Sequence, residues 1–138
     1  MSSLARLDTR AAEDAIVASV AGEVDISNAA DLGSALEGAV PQQALGLVLD
    51  LSEATYIDSA GLHLLFRLGG RLTRRRQQLR VVVPDRAAVR QVVNLAGLSW
   101  TVPQDKDVAE ALTNLRAEVP PRPAEDQWVS GPDAPDYF

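Results

Sequence analysis

Residues 45–51, LGLVLDL, are apolar at every position except Gly46 and Asp50. Such a run suits a strand covered on both faces, as in a parallel sheet, because a strand with one wet face would alternate. The pattern then changes period. Leu62, Leu65, Phe66, Gly69 and Leu72 recur at i, i+3, i+4, i+7 and i+10, which is one face of an α-helix. A doubly covered strand feeding a helix restricts the chain to layered α/β architectures. Between the two patterns stand Asp58, Ser59, Ala60 and Gly61. Asp58 and Ser59 are both good N-caps, since their side-chain oxygens accept from the amides that open a helix without partners. The Ser59 hydroxyl is therefore expected at the positive end of a helix, just past a strand's C-terminal edge. That edge is where ligands and partners of open α/β sheets meet the protein. A phosphate there would be received by free amides rather than expelled.

The remaining segments fit around this unit. Residues 4–8 read as a short edge strand, followed by a polar turn over 10–14. In residues 15–21, Ile16, Ala18 and Val20 alternate as in a half-buried strand, closed by Gly22. Ser27 or Asn28 caps a helix that turns Leu32, Ala35, Leu36 and Ala39 inward, with Pro41 beyond its end. Residues 79–83 are a buried strand stopped by Pro84. Asp85 then caps a helix with Val89, Val92, Val93 and Ala96 on one face and Gly97 as its stop. Residues 100–102 read as a last short strand, with Trp100 in the core. Asp107 and Glu110 have capping-box spacing ahead of Val108, Ala111, Leu112, Leu115 and Val119, a final amphipathic helix. The alternation predicts an α/β fold with an open, mixed sheet of four to five strands and about four helices. One domain covers residues 1–119. Residues 120–138 hold five prolines, four acids against one base and no apolar period, the composition of a disordered tail. Trp128, Tyr137 and Phe138 are unusual in such a segment and could anchor in a groove of a partner or of the domain itself.

Composition narrows the chemistry. With no cysteine and one histidine, neither a disulfide framework nor a thiolate or histidine zinc site is expected, and no metal or cofactor is called for. Nothing approaches the roughly 18 consecutive apolar residues of a membrane helix, and residues 1–14 lack a signal-peptide core. A cytoplasmic protein without direct membrane contact is expected. A net charge of −6 argues against bulk attraction to nucleic acid. Even so, six of the thirteen basic residues, Arg67, Arg71, Arg74, Arg75, Arg76 and Arg80, fall within positions 67–80. Cations at a helix C-terminus interact favourably with its dipole, and an acidic partner would also fit them.

At this point DLSEATYIDSAGLHLL, residues 50–65, resembles the signature of the anti-sigma-factor antagonist family, the STAS domain. Gly22-Glu23-Val24-Asp25 is similar to that family's turn beside the signature, and Asn94-Leu95-Ala96-Gly97-Leu98 to a motif downstream of it. The resemblance spans about residues 5–117. It implies a single STAS-like domain and a serine phosphorylated by a partner kinase that is itself the anti-sigma factor. Ser59 matches that serine. The partner surface implied comprises Asp25, Asp58, Ser59, Ala60, Gly61 and His63. ATP would enter only through the kinase. Two departures stand out: Ala60 replaces the second hydroxyl residue that many relatives carry, and His63 fills a position often held by a smaller residue.

Two further readings of Ser59 remain open. It could be an ordinary cap. It could also be a hydrolase nucleophile, with His63 one turn along and Asp58 adjacent, although Ile57 stands where the hydrolase elbow needs its first glycine. Asp25 is either a helix-entry residue or part of an acidic lip shared with Asp58; two such carboxylates also meet the minimum for acid and base work. The expectation is a non-enzymatic binding switch. The alternative is the same fold as a subunit of a larger assembly, a lipid-transport complex or a stress-sensing scaffold, with Ser59 unmodified.

Overall fold

The computed structural model describes residues 5–97 and 102–117. Its sheet is built from β1 (Ala5–Ala12), β2 (Ala15–Val24), β3 (Gly46–Asp50), β4 (Ala54–Ile57), β5 (Gln78–Val82) and β6 (Gln104–Asp105). Four helices accompany them: α1 (Ala29–Gly38), α2 (Ser59–Arg74), α3 (Arg90–Leu95) and α4 (Val108–Ala117). The strand order is β1-β2-β3-β5-β6, with β4 also on β2. Only the β1–β2 pair is antiparallel. This is the mixed open α/β sheet expected, with one strand more.

The additional strand is β4. β3 pairs with the first half of β2, Ala15↔Gly46 to Ser19↔Asp50. The chain then jogs through residues 51–53 and pairs with the end of β2, Gly22↔Ala54 to Val24↔Ile57. The jog is held by the Asp50 carboxylate, which accepts from the Ser52 amide (2.9 Å) and from its hydroxyl. Ala54 and Ile57 are buried while Thr55 and Tyr56 are exposed, so four residues with a wet middle show no strand period in the sequence.

Other boundaries also shift. In place of a polar turn over 10–14, β1 continues to Ala12 and turns only at Glu13 and Asp14, Glu13 taking φ 60°. Polar side chains such as Thr9 and Arg10 are no obstacle on an edge strand, whose outer face meets water. β2 is buried on both faces rather than one, with Val17 packed in one apolar layer and Ala18 and Val20 in the other. In α1, Leu32 and Leu36 are buried but Ala35 is exposed, because the inward stripe runs Ala29, Leu32, Leu36. α3 starts at Arg90, not after Asp85. Residues 85–89 form turns, Val89 and Val93 are buried, and Val92 and Ala96 face outward. Of the strand expected over 100–102, Trp100 and Thr101 lie outside the described residues, as do Val119, the domain boundary and the 120–138 tail. The last described strand is β6 at Gln104–Asp105.

The core has two layers. Leu32, Leu36, Leu65, Leu68, Leu72 and Val93, from α1, α2 and α3, pack with Leu47, Leu49 and Val81. On the opposite face Ala111 and Leu115 of α4 pack with Ala15, Val17, Val48 and Val82. α2 ends in a Schellman motif: the Arg76 amide donates to Thr73 O (2.9 Å) and the Gln77 amide to Leu72 O (2.8 Å), with Arg76 at φ 63°. Arg80 does not join the surface cluster. It is buried on β5, where its Nε meets Asp105 Oδ2 at 2.6 Å.

Candidate functional site

β2 and β4 end side by side, so the segments that follow them, residues 25–28 and 58–61, share one edge of the sheet. The Asp58 amide donates to Val24 O (3.2 Å), tying the two exits together. The Asp58 backbone is extended (φ −104°, ψ −171°), which places its carboxylate over the first turn of α2. Oδ1 accepts from the Gly61 amide at 3.0 Å and Oδ2 from the Ile26 amide at 3.2 Å. One side chain thus caps α2 and clamps the neighbouring loop.

That loop has its own lock. Asn28, only 1% exposed, accepts from the Asp25 amide through Oδ1 (3.0 Å) and donates through Nδ2 to Glu23 O (2.8 Å). Asp25 Oδ1 accepts from the Ser27 amide (2.9 Å) and hydroxyl (2.5 Å). With its inner atoms fixed, the loop holds Ile26 outward, 81% exposed. Sequence reasoning named Asn28 only as a possible cap and passed over Ile26. An isoleucine in the polar turn GEVDISN was the available signal.

Ser59 is exposed in the first turn of α2, and its hydroxyl makes no hydrogen bond among the described residues. Of the two candidate caps, Asp58 does the capping. Ala60 is half-buried, Gly61 buried and His63 exposed. Gly61 is required by close approach: a Cβ there would lie 2.6 Å from Ile57 Cγ1 and 3.1 Å from Val24 O. Below the turn, α1 and α2 enclose a groove of about 340 Å³ lined by Ile26, Ala30, Gly33, Ala60, His63 and Leu64, with Arg67, Glu37 and Arg71 further down. Arg71 and Glu37 close it with an ion pair at 3.1 Å.

The structure thus gathers Asp25, Asp58, Ser59, Ala60, Gly61 and His63 at one edge. It does not assemble the triad order of a hydrolase. Both Asp58 oxygens accept from backbone amides, and His63 has no carboxylate partner among the described residues. The turn instead offers an accessible hydroxyl at a helix N-terminus, beside the exposed Glu23 and the half-exposed Asp25 and Asp58. Among the described residues no three His, Cys, Asp or Glu side chains gather to hold a metal ion. Nor is any helix there long and apolar enough to cross a membrane.

Comparison with known proteins agrees with this geometry. A family model described as "Mlab, STAS domain" matches residues 7–103. The anti-sigma-F factor antagonist RsfB of Mycobacterium tuberculosis is 32% identical over 101 residues, covering 72% of this chain and 80% of that protein. The crystal structure of an anti-sigma factor antagonist from Mycobacterium paratuberculosis has a TM-score of 0.73 at 29% identity, over 81% of this chain and 94% of that one. The unphosphorylated anti-sigma factor antagonist SpoIIAA has a TM-score of 0.65 at 17% identity, over 83% of this chain and all (100%) of that one, a likeness of fold.

Proposed function

The chain belongs to the STAS domain family, and from that premise we propose that it is an anti-sigma factor antagonist switched at Ser59. Unphosphorylated, it binds an anti-sigma factor that is also a serine kinase and so frees a sigma factor. Phosphorylation of Ser59 ends that binding. ATP and Mg²⁺ belong to the kinase.

The observation that carries this reading is the division of labour at the turn. Asp58 makes the cap, which leaves the Ser59 hydroxyl exposed and without a hydrogen bond among the described residues. A phosphate added there removes no hydrogen bond. It brings about −1.5 to −2 charge at neutral pH, placed at the end of a helix that favours anions. The fold tolerates the change, while a partner docking on a rim that already holds Glu23, Asp25 and Asp58 meets the added repulsion. Affinity is altered and the scaffold is kept. The names of the relatives, both anti-sigma factor antagonists, support the same reading.

The test is to incubate the protein with candidate anti-sigma kinases and ATP, then measure intact mass and map phosphopeptides. One phosphoryl group on Ser59 is expected, because Ala60 offers no second acceptor and Thr55 and Tyr56 lie on β4, before the cap. A main site elsewhere would overturn the proposal. A second reading is a subunit of a larger lipid-transport or stress-sensing assembly with Ser59 unmodified. It predicts no phosphorylation by any such kinase.

A further inference from the structure

We propose that the open edge of β1 pairs antiparallel with β1 of a second copy of this chain, centred on Thr9, so that two sheets join into one. This does not depend on the switch at Ser59.

The phase of the hydrogen-bond ladder is the first ground. β1 is an end strand of the sheet and pairs only with β2 among the described residues. Ala12 and Ala15 flank the two-residue turn at Glu13 and Asp14, so they form the closing hydrogen-bonded pair, and bonded pairs recur at every second residue from there. Ala12, Arg10, Asp8 and Arg6 thus spend their amides and carbonyls on β2. Ala11, Thr9, Leu7 and Ala5 aim theirs away from the sheet. Such an unpaired row is a template for another strand.

Charge is the second. Arg6, Asp8 and Arg10 are exposed on one face of β1, alternate in sign, and their side chains make no ion pair or hydrogen bond among the described residues. Charges of one sign would blunt the edge, whereas alternating signs select a register. With Asp8 opposite Asp8 of the second copy, Arg6 also faces Arg10 and every charged pair repels. With Thr9 opposite Thr9, Asp8 faces Arg10 and, by symmetry, Arg10 faces Asp8.

Phase and charge choose the same register, which is the third. Centred on Thr9, the outward amides and carbonyls meet in bonded pairs, Thr9 with Thr9 and Leu7 with Ala11. The charged residues fall between them, in the non-bonded pairs where side chains lie closer. The half-buried Leu7 gains cover from the exposed Ala11 of the second copy. This overlap takes in residues 6–12, whereas centring on Leu7 opposes Arg6 to Asp8 but shortens it to residues 5–9 and leaves Arg10 outside. Because the joined strands are antiparallel, the two Ser59 turns lie at opposite ends of the joined sheet, and each stays open to its own partner.

The test is sedimentation velocity on the full chain over a range of concentrations, with circular dichroism to show that each variant folds. The parent should pass from monomer to dimer. Asp8→Arg sets an arginine against Arg10, and Arg10→Asp sets an aspartate against Asp8, twice in each dimer. Each variant alone should therefore dimerise about tenfold more weakly. Mixed in equal amounts, the two variants oppose arginine to aspartate at both positions and should recover the parent's affinity as a heterodimer. Thr9→Pro removes an outward amide that β2 does not use, so it should abolish the dimer and leave the hairpin. In the parent, exchange protection of the Leu7, Thr9 and Ala11 amides should rise with concentration. A chain monomeric throughout, a dimer that either charge variant or Thr9→Pro leaves intact, or a mixture no tighter than its components would overturn the proposal. So would full protection of those amides in the monomer, since the edge would then be covered from within the chain.

Discussion

Asp58 carries more of the site's structure than Ser59, though the sequence ranks them together. Both residue types accept from helix amides, so spacing alone cannot choose between them. The choice is made by the pairing of β4 with β2, which ties the Asp58 amide to Val24 O and points its carboxylate at two loops. Asp58→Ala should therefore cost the cap, about 0.5–2 kcal/mol, and loosen Ile26 as well. Ser59→Ala removes no bond and should stay within about 0.5 kcal/mol of the parent. Urea unfolding of the two variants checks this, and equal losses would mean that Ser59 shares the cap. Gly61→Ala should cost about 1–3 kcal/mol through overpacking, because its Cβ would meet Ile57 at 2.6 Å and Val24 Cγ1 at 3.0 Å. The need for glycine there is invisible in sequence, since it arises where the end of β2, distant along the chain, is brought beside the end of β4.

Among the elements, those with a strong period were legible: β3 from its apolar run, α2 from its stripe, α4 from its capping box. Asp107 Oδ1 does accept from the Glu110 amide at 2.7 Å, while Glu110 accepts from Lys106 N at 2.8 Å. β4 was not legible, because its pairing follows from a jog in the chain rather than from composition. Arg80 was read with the surface arginines because it follows them in sequence. In the fold it sits on a central strand, and its partner lies 25 residues away on β6. Asp105 also accepts from Asn114 Nδ2 at 2.7 Å, so one carboxylate joins β5, β6 and α4. Asp105→Ala would remove the carboxylate paired with the buried Arg80 guanidinium and should cost about 3–5 kcal/mol. The loss should be seen first as faster amide exchange in α4. An unchanged exchange pattern would show that the other contacts of α4 hold the helix without Asp105.

At the scale of the whole molecule the order of strands and helices could be read, but the layer each helix occupies could not. An amphipathic stripe says that a helix covers something, not which face of the sheet it covers. That α4, alone among the described helices, lies on one face follows from the burial of Val17, Val48 and Val82 on that side, a fact of three strands at once. The arrangement places the Ser59 turn at the edge where β2 and β4 end and the arginine-rich end of α2 at the other, about 22 Å apart for fifteen helical residues. A charge change at Ser59 should therefore act on the partner contact through the acidic rim and leave the far end of α2 untouched. Ser59→Ala keeps the small neutral surface and cannot be phosphorylated, so it should bind the cognate anti-sigma kinase and stay bound in the presence of ATP. Ser59→Asp adds a carboxylate that the helix dipole tolerates, so circular dichroism should show an intact fold. The like charge set into the contact should weaken binding by about 1–3 kcal/mol. Calorimetric titration of both variants decides the point: equal affinities for two folded proteins would remove Ser59 as the electrostatic switch and favour a subunit held in a permanent assembly.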